Sequence, residues 1–409
     1  MNKFLKEFKD RGFFYQCTDE NQLSSLLDKK KIKAYIGFDC TAESLHVGSL
    51  LQIMCLRMLQ KYGHQPIVLL GGGTTRIGDP SGKDKTRKIL SEKEIEKNSK
   101  NIKKILKKFL DRNDKNTKPI FVNNFEWLKN LNYISFLRDI GKHFTINKML
   151  TFESVKNRLE REQSLSYMEF NYMILQAYDF LELNKIQKCL LQIGGSDQWG
   201  NIVNGVDLIK RYSGNQAYGL TTPLITLASG AKMGKTETGA IWLDEKYLSP
   251  YDYWQFWRNI DDRDVFKFLN FFTDLSAEKI DKIKDEDINH QKIILANETT
   301  SMLHGKSAAK KSEETAKKTF SENSLGSALP SISIRKEQIQ SNFTIIDLII
   351  MSKLEISKSE IRRLIKGNGV KINNKTINDE KLIINQKLFK ENFIKLSLGK
   401  KRHIKVEII

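Results

Sequence analysis

The chain has 409 residues, 40% of them hydrophobic, and a formal net charge of +19. This length predicts two or three domains. The positive charge favours a polyanionic partner, nucleic acid before membrane, although a coding bias towards lysine would have the same effect. No apolar run is long enough to span a membrane, Met1–Glu20 lacks the apolar core of a signal peptide, and the four cysteines form no CxxC pair. We therefore expect a cytoplasmic chain without a membrane segment or a cysteine zinc site.

The first half of the chain predicts a parallel sheet. Short apolar runs at Ala34–Phe38 and Pro66–Leu70 are typical of buried strands, and the segment between them, Leu50–Lys61, is typical of a helix. Strand, helix and strand in this order form the unit of a parallel sheet. Further strands are predicted at Ile120–Val122 and Cys189–Ile193, and further helices at 92–110, Ser166–Leu183 and from about Gln198. We expect a Rossmann-like, nucleotide-binding α/β domain with an insertion over about 121–188.

The second half of the chain changes character at Ser249. Periodicity there predicts only helices, at Tyr251–Asn259, Asp264–Phe272, Asn289–His304 and Lys306–Phe320. A segment rich in Ser, Gly and Pro follows and predicts a linker, and 343–409 then carries 15 Lys or Arg against 7 Asp or Glu. The predicted domains are a catalytic domain over 1–248, an all-helical domain over 249–320, a linker over 321–342 and a small basic α+β domain over 343–409.

A candidate anion site lies at the start of the predicted helix Leu50–Lys61. Residues Tyr35–Ser49 read YIGFDCTAESLHVGS, so an apolar strand ends in a glycine-containing turn and His46 stands where the helix begins. A helix N-terminus carries free N–H groups and a partial positive charge, both of which favour phosphate. His46 can therefore donate a hydrogen bond to a phosphate oxygen, or it can simply cap the helix.

Three further segments carry candidate site residues. The glycine-rich turn after the second strand leads to Asp79, Lys83 and Arg87. The strand at Cys189–Ile193 ends in a segment, 192–198, that reads QIGGSDQ and brings two glycines, an acid and two glutamines together. Residues 232–236 read Lys-Met-Gly-Lys-Thr, and two lysines in a glycine-containing loop can neutralise pyrophosphate. Taken alone, the first and third of these segments would also suit a solvated loop.

The predicted helix Ser166–Leu183 carries polar groups on one stripe. Tyr172, Gln176 and Asp179 lie at positions i, i+4 and i+7, which brings a hydroxyl, an amide and a carboxylate to one face. Buried polar groups need hydrogen-bond partners. The stripe is therefore either the polar edge of an amphipathic helix or one wall of a ligand pocket.

Together these segments resemble the bacterial tyrosyl-tRNA synthetases, a family of class I aminoacyl-tRNA synthetases, over nearly the whole chain. The stretch 35–49 resembles the family's His-Ile-Gly-His motif, 232–236 its Lys-Met-Ser-Lys-Ser motif, and 166–183 its tyrosine-binding helix. The chain departs from the pattern within both motifs, since 232–236 reads Lys-Met-Gly-Lys-Thr and the first motif lacks its second histidine. Ser49 stands in place of the second motif histidine, and Gly234 in place of the first motif serine.

The resemblance implies a role for each candidate residue. Tyr35 and Asp179 would hold the phenolic hydroxyl of tyrosine. The α-ammonium would contact Asp79, Tyr172 and Gln176, and the carboxyl side would be bordered by Gln192 and Gln198. Asp197 would accept both ribose hydroxyls, and the full ATP-binding set would be Gly37, Asp39, Thr41, His46, Gly48, Ser49, Gly195, Asp197, Lys232 and Lys235. The catalytic set would be His46, Lys83, Arg87, Lys232, Lys235 and Thr236.

The C-terminal segment carries a second resemblance. Residues 356–373 predict a short helix with Arg362, Arg363 and Lys366, followed by a Gly-x-Gly turn and a strand. This pattern resembles the RNA-binding module named after the ribosomal protein S-four. A basic helix beside a turn can recognise RNA shape through its phosphates. Because such modules also occur on unrelated proteins, this segment alone predicts RNA binding and not a synthetase.

The activity implied by the resemblance is activation of L-tyrosine with ATP, accompanied by Mg²⁺, and transfer of tyrosine to tRNA(Tyr). No protein-bound metal site is expected, and a homodimer with the insertion at its interface is implied. Two alternatives remain open. An RNA-binding protein that has lost catalysis would show no tyrosine-dependent exchange between ATP and pyrophosphate. A tryptophanyl-type enzyme would not need the phenol-binding pair Tyr35 and Asp179.

Overall fold

The structure, a computed structural model, describes residues 1–80, 90–110, 114–231, 233–236, 239–321, 329–339, 342–354, 357–389, 392–399 and 402–409. Two compact units make up the described chain: Met1–Asp244 with Asp261–Asp285, and Glu245–Ile260 with Glu286–Ile409. The predictions for Lys83, Arg87 and Lys232, and for the side chains of Lys235 and Thr236, lie outside what is described.

The bounds of the elements follow in chain order. The described strands are β1 (Gln16–Cys17), β2 (Lys33–Asp39), β3 (Gln65–Gly71), β4 (Ile120–Asn123), β5 (Cys189–Gly195), β6 (Tyr218–Thr222), β7 (Lys235–Thr236), β8 (Gly239–Ala240), β9 (Ser331–Ile334), β10 (Val370–Ile372), β11 (Lys375–Thr376), β12 (Phe393–Leu398) and β13 (Arg402–Ile408). The described helices are α1 (Lys3–Asp10), α2 (Glu20–Lys29), α3 (Leu50–Lys61), α4 (Glu92–Leu110), α5 (Phe125–Leu128), α6 (Tyr133–Asp139), α7 (Ile146–Leu150), α8 (Glu153–Glu160), α9 (Tyr167–Gln187), α10 (Trp199–Ser213), α11 (Pro250–Arg258), α12 (Asp262–Phe272), α13 (Ala277–Lys284), α14 (Ile288–His304), α15 (Lys306–Ser321), α16 (Ile345–Met351) and α17 (Lys358–Lys366). None of these helices is both long and apolar enough to cross a membrane.

The first unit is built on a sheet whose described strands lie in the order β1-β6-β5-β2-β3-β4. The pairs β2–β3, β3–β4, β2–β5 and β5–β6 are parallel, and only the edge strand β1 pairs antiparallel, with β6. The four predicted strands are therefore confirmed, and the Rossmann-like α/β class with them. The chain runs from β2 outwards to β4, returns to β5 and then runs outwards the other way. Ligands bind at such a reversal, beyond the carboxyl ends of the strands.

Helix α9 is positioned by its ends and by its core face. It begins at a capping box, in which Ser166 Oγ accepts from Glu169 N–H at 3.2 Å and the Glu169 carboxylate accepts from Ser166 N–H at 3.1 Å. Lys188 in the left-handed conformation ends it. Its buried residues, Phe180 among them, pack in one core with Tyr35 of β2. The polar stripe predicted on this helix is therefore held against the sheet.

The insertion is shorter than predicted. The predicted range of 121–188 includes most of β4, which pairs with β3, and α9, which packs against the sheet. The part of the range between them is α5 to α8. Arg158 on α8 donates to the Glu169 carboxylate at 3.0 Å, with both side chains buried. This pair joins the last inserted helix to the start of α9.

Helices α12 and α13, which follow the predicted boundary at Ser249, are grouped with the first unit. Both helices lie in 261–285, whereas α11, α14 and α15 of the predicted all-helical domain over 249–320 lie in the second unit. Buried arginines account for this: Arg11 donates to the carbonyls of Thr273, at 2.9 Å, and Leu275, and Arg57 pairs with Asp274. These contacts join residues that lie far apart in the sequence, and hydrophobic periodicity gives no information about such contacts.

The second unit contains α11, α14 and α15 and a separate C-terminal sheet with the strand order β11-β10-β12-β13-β9. The predicted linker over 321–342 is wrong where it includes β9, which pairs parallel with β13. The Ser-Ile-Ser-Ile sequence of β9 looks like a polar linker. In a strand, however, alternate side chains point to opposite faces, and Ile334 is fully buried in the core of this sheet. The predicted α+β class of this segment is confirmed.

Candidate active site

A cavity of about 310 Å³ lies where β2, β3 and β5 end. It is the reversal point of the sheet, where a ligand site is expected. The predicted residues that line it are Tyr35, Gly37, Asp39, Thr41, His46, Asp79, Tyr172, Gln176, Asp179, Gln192, Gly195 and Gln198. Three described residues predicted for ATP binding, Gly48, Ser49 and Asp197, are not part of the cavity wall.

Asp179 is a buried carboxylate held by two donors. Its side chain is 1% exposed. Asn124 Nδ2 donates to Oδ2 at 2.8 Å, and Trp127 Nε1 donates to Oδ1 at 2.7 Å. Burial raises the pKa of Asp179 to about 7, although these two hydrogen bonds act to lower it. The carboxylate is therefore fixed in orientation and poised to accept a proton or a hydrogen bond near neutral pH.

Tyr35 presents a polar atom to the same end of the cavity. Its hydroxyl is buried and has no hydrogen-bond partner among the described residues. Burial raises the pKa of Tyr35 well above its usual value, and the charge of Asp179 adds to this. A hydroxyl that stays protonated and lacks a partner costs free energy unless a ligand supplies one. Tyr35 can therefore donate to a ligand oxygen, while Asp179 accepts from it.

A hydrogen-bond chain connects the polar groups at the other end. Asn201 Nδ2 donates to Gln176 Oε1 and to Gln198 Oε1, both at 3.1 Å, and Gln198 Nε2 donates to Asp79 Oδ2 at 3.0 Å. Every amide orientation in this chain is thereby set by its neighbour. The Gln176 oxygen and the Asp79 carboxylate both accept hydrogen bonds in this chain, and such acceptors suit a cationic group.

Tyr172 and Asp39 meet between the two ends of the cavity. The Tyr172 hydroxyl donates to Asp39 Oδ2 at 3.2 Å, and the Thr74 hydroxyl donates to Asp39 Oδ1 at 2.9 Å. Because the proton of Tyr172 points to Asp39, its oxygen acts towards a further ligand as an acceptor. Tyr172 therefore adds to the acceptor character of this wall.

His46 has a defined tautomer. Its Nδ1 accepts a 3.0 Å hydrogen bond from the backbone N–H of Gly48. An accepting ring nitrogen carries no proton, so the proton of the neutral ring lies on Nε2. His46 also forms a β-bridge with Trp242. The side chain is thus held with a donor nitrogen at the wall of the cavity, as the phosphate-binding prediction requires.

The two sequence motifs are in contact. Gly234 has φ of +99°, and a β-carbon built on it would lie 2.5 Å from His46 Nδ1 and 2.9 Å from Gly48 N. Any side chain at 234 would therefore displace the first motif. The glycine that replaces the motif serine allows the backbone of the second motif to lie against His46.

Sequence reasoning missed residues that orient the predicted ones. Asn124 and Trp127 hold Asp179, Asn201 holds Gln176, and Thr74 holds Asp39. Asn124 directly follows β4, so the rule that sites lie beyond the carboxyl ends of parallel strands could have found it. The other three residues carry no comparable signal. Within the described chain, no group of His, Cys, Asp and Glu residues could hold a metal ion.

The basic residues predicted for RNA lie on α17 of the C-terminal domain. Arg362, Arg363 and Lys366 are exposed. Arg362 pairs with Glu380 at 3.5 Å, and Arg363 pairs with Glu360 at 2.9 Å. Surface pairs of this kind are weak, so a phosphate can replace the carboxylate. The predicted short basic helix is confirmed.

Comparison with known proteins places this geometry in context. A family model described as tRNA synthetases class I (W and Y) matches residues 27–321, and one described as the tyrosine–tRNA ligase SYY-like C-terminal domain matches 322–406. A tyrosine–tRNA ligase of Pelagibacter ubique (strain HTCC1062) is 78% identical over 409 residues, covering 100% of both chains. One of Wolbachia sp. subsp. Brugia malayi is 55% identical over 412 residues, covering 100% of this chain and 99% of the relative.

Solved structures show the same fold. A C-terminally truncated mitochondrial tyrosyl-tRNA synthetase of Aspergillus nidulans is 31% identical with a TM-score of 0.71, covering 78% of this chain and 94% of that one. A tryptophanyl-tRNA synthetase of Encephalitozoon cuniculi is 12% identical with a TM-score of 0.55, covering 75% and 87%. The latter likeness concerns the fold alone.

Proposed function

The chain belongs to the tyrosine–tRNA ligases among the class I tRNA synthetases, and we propose that the cavity described above is where it activates tyrosine with ATP. The tyrosine carboxylate attacks the α-phosphorus of ATP, giving tyrosyl-adenylate and pyrophosphate. A hydroxyl of the 3′-terminal adenosine of tRNA(Tyr) then attacks the adenylate carbonyl and releases AMP. No side chain forms a covalent intermediate, so the protein acts by positioning and electrostatic stabilisation.

The phenol end of the substrate is assigned to Asp179 and Tyr35. One supplies a buried acceptor and the other a buried hydroxyl without a partner in the described chain. A phenolic hydroxyl satisfies both at once, since it can donate to Asp179 and accept from Tyr35. Phenylalanine would leave the buried Tyr35 hydroxyl without a partner and would deprive Asp179 of the hydrogen bond from the phenol, which costs binding free energy. This is the observation on which the proposal chiefly rests.

The ammonium end is assigned to Asp79, Tyr172 and Gln176. The hydrogen-bond chain through Asn201 and Gln198 presents oxygens to this end of the cavity. Three acceptors around one ammonium match its three N–H donors. Gln192, which is buried beside them, would border the carboxyl group that reacts.

ATP is assigned to the side of the cavity formed by the two motifs. His46 Nε2 would donate to the α-phosphate as charge develops there. Lys232 and Lys235 would neutralise the pyrophosphate from the loop in contact with His46, and Lys83 and Arg87 would assist from the segment after Asp79. These four assignments rest on the sequence motifs. Mg²⁺ would enter with ATP as part of the substrate.

The C-terminal domain is assigned to tRNA binding. Its exposed Arg362, Arg363 and Lys366 lie on one helix of a segment with a strong excess of positive charge. The phosphate backbone of tRNA(Tyr) is the partner that this charge favours. The reaction would take place in the cytoplasm, which agrees with four free cysteines.

We also propose that the enzyme is a homodimer joined through the inserted helices. Tyr133, Ile134, Leu137 and Tyr167 are exposed apolar residues in or next to this segment. Tyr133, Leu137 and Tyr167 line a groove of about 450 Å³, and Ile134 is the neighbour of Tyr133 on α6. A second copy would cover these side chains. Ile134→Asp with Leu137→Asp should reduce the mass measured by light scattering from dimer to monomer, whereas Ile186→Asp, at an exposed apolar residue outside the groove, should not. An unchanged dimer would refute this interface.

The activity is tested by exchange of labelled pyrophosphate into ATP with each of the twenty amino acids in turn. Tyrosine alone should support rapid exchange. Tryptophan as the better substrate would refute the assignment of Asp179 and Tyr35, and exchange with none would refute the catalytic role of the cavity.

A further inference from the structure

A residue that the sequence analysis did not predict, Gln52 on α3, lies in the cavity wall beside the first motif. Ser49 stands where the family motif has its second histidine, but the Ser49 side chain makes no capping hydrogen bond and does not line the cavity. Gln52 does line the cavity. Positions i and i+3 lie on the same face of a helix, so Gln52 extends from one turn further along α3 into the space beside the motif.

The amide of Gln52 has a fixed direction. Its Nε2 donates to Thr222 Oγ1 at 2.9 Å, and the Thr222 hydroxyl donates to the carbonyl of Gly194 at 3.4 Å. A hydroxyl has one proton to donate, so Thr222 must accept from Gln52 and the amide nitrogen must face it. The other end, Oε1, is buried and has no hydrogen-bond partner among the described residues.

The chemistry of the substrates limits what Oε1 can bind. An amide oxygen accepts hydrogen bonds and needs a donor. Phosphate and carboxylate oxygens do not donate, and the ammonium and the phenol of tyrosine are assigned elsewhere in the cavity. The remaining donors are the two ribose hydroxyls and the adenine amino group of ATP. Thr222, which anchors Gln52, pairs with Gly195 on β5, two residues before the predicted ribose ligand Asp197.

We infer that Gln52 Oε1 accepts a hydrogen bond from a ribose hydroxyl of ATP and so supplies a nucleotide contact from α3 that Ser49 does not reach. Gln52 is then a nucleotide-binding residue, and Thr222 is the positioning residue that turns its amide. The inference rests on the proposed ATP-binding role of the cavity. It explains why a buried, anchored amide leaves its oxygen without a partner inside a substrate cavity.

The test measures pyrophosphate exchange with ATP, 2′-deoxy-ATP and 3′-deoxy-ATP. Gln52→Met keeps the length of the side chain and removes the acceptor. It should lower kcat/KM for ATP by about ten-fold, as expected for one hydrogen bond, and leave KM for tyrosine unchanged. With the deoxynucleotide that lacks the bonded hydroxyl, Gln52→Met and the unmodified enzyme should react equally. If Gln52→Met lowers kcat/KM as much with each of the two deoxynucleotides as it does with ATP, the ribose contact is overturned.

A second pair of variants tests the anchor and does not depend on Gln52→Met folding. Thr222→Val keeps the side-chain shape but releases the amide, and it should raise KM for ATP. Thr221→Val is the matched control, because Thr221 is the buried neighbour on β6 whose hydroxyl donates instead to the carbonyl of Gln16. Equal effects of the two variants on ATP would overturn the positioning role. Failure of the unmodified enzyme to exchange with tyrosine would instead refute the function of the cavity.

Discussion

Trp127 Nε1 lies 2.7 Å from Asp179 Oδ1, while Asn124 occupies the other carboxylate oxygen at 2.8 Å. The carboxylate is therefore held from the inserted side of the sheet, and its remaining acceptor capacity is directed at the cavity. The two donors lower the cost of burying a charge, but burial still dominates the pKa of Asp179. This balance makes Asp179 sensitive both to substitution and to pH.

Asp179→Asn should impair the use of tyrosine and reduce discrimination against phenylalanine. The change keeps the size of the side chain but removes the charge that accepts the phenolic proton. We expect kcat/KM for tyrosine to fall. The fall should correspond to a loss of about 2–3 kcal/mol of transition-state stabilisation, as for a hydrogen bond to a charged group. Asp207→Asn is a control on α10, where Asp207 pairs with Lys148 at the surface. An unchanged ratio of kcat/KM for tyrosine over phenylalanine would contradict the pocket assignment.

The pKa of Asp179 also predicts a pH dependence of stability. The pKa is about 7 in the folded chain and 3.8 for the ordinary group, so the folded state binds more protons between these values. The free energy of unfolding contributed by Asp179 should therefore fall as the pH rises from about 4 to 7, and stay constant above that. Urea unfolding without ligand should show Asp179→Asn gaining stability over the unmodified chain across this window. A difference that does not vary with pH would speak against a buried charge.

Gly234→Ala tests the contact between the two motifs. The substituted residue would have a left-handed backbone and a β-carbon 2.5 Å from His46 Nδ1. Gly230→Ala is a matched control in the same region, since Gly230 also has a positive φ, of +81°, but nothing lies within 4 Å of its β-carbon. Both changes should cost about 1 kcal/mol from backbone strain. Only Gly234→Ala should also lower kcat of pyrophosphate exchange, because it displaces His46. Equal kinetic effects of both would contradict the contact.

The sequence predicted the parts of the fold that depend on local patterns. The strands around Tyr35 and Val68 are short apolar runs, and the helix that begins near Ser166 has a regular apolar spacing. The strands that periodicity missed, such as β6, are short, and β9 is half serine. Their partners are remote in the chain, so only the folded sheet identifies them.

The site residues also divide into those that local sequence patterns predict and those that only the folded structure identifies. Residues in motifs, such as His46 and Asp179, were predicted as cavity candidates because their spacing is fixed by one turn or one helix, and both line the cavity. Trp127 and Asn201 were not found, because each meets its partner across elements that are far apart in the sequence. Gln52 was hidden for a different reason. It lies on a helix predicted from its apolar spacing, and only the cavity reveals that its amide faces a ligand.

Two truncations test the modular assignment of the C-terminal domain, because the structure moves its start to β9. A chain ending at Ser321 loses the whole C-terminal sheet, while a chain ending at Asn342 keeps β9 without its partner β13. Both should retain tyrosine-dependent pyrophosphate exchange, since every described cavity residue lies before Asp244. Both should charge tRNA poorly, and the salt dependence of tRNA binding should fall with the loss of the basic segment.

The two truncated chains should differ in protease sensitivity. In the longer chain, Ile334 loses the core that buries it completely in the full chain, so the segment after Ser321 should be removed quickly by limited proteolysis. Strand β9 should be protected in the full-length enzyme, where it pairs with β13. Loss of exchange in a folded chain ending at Ser321 would mean that the C-terminal domain supports the active site. Full tRNA charging by that chain would mean that the basic helix with Arg362 and Arg363 has no part in binding tRNA.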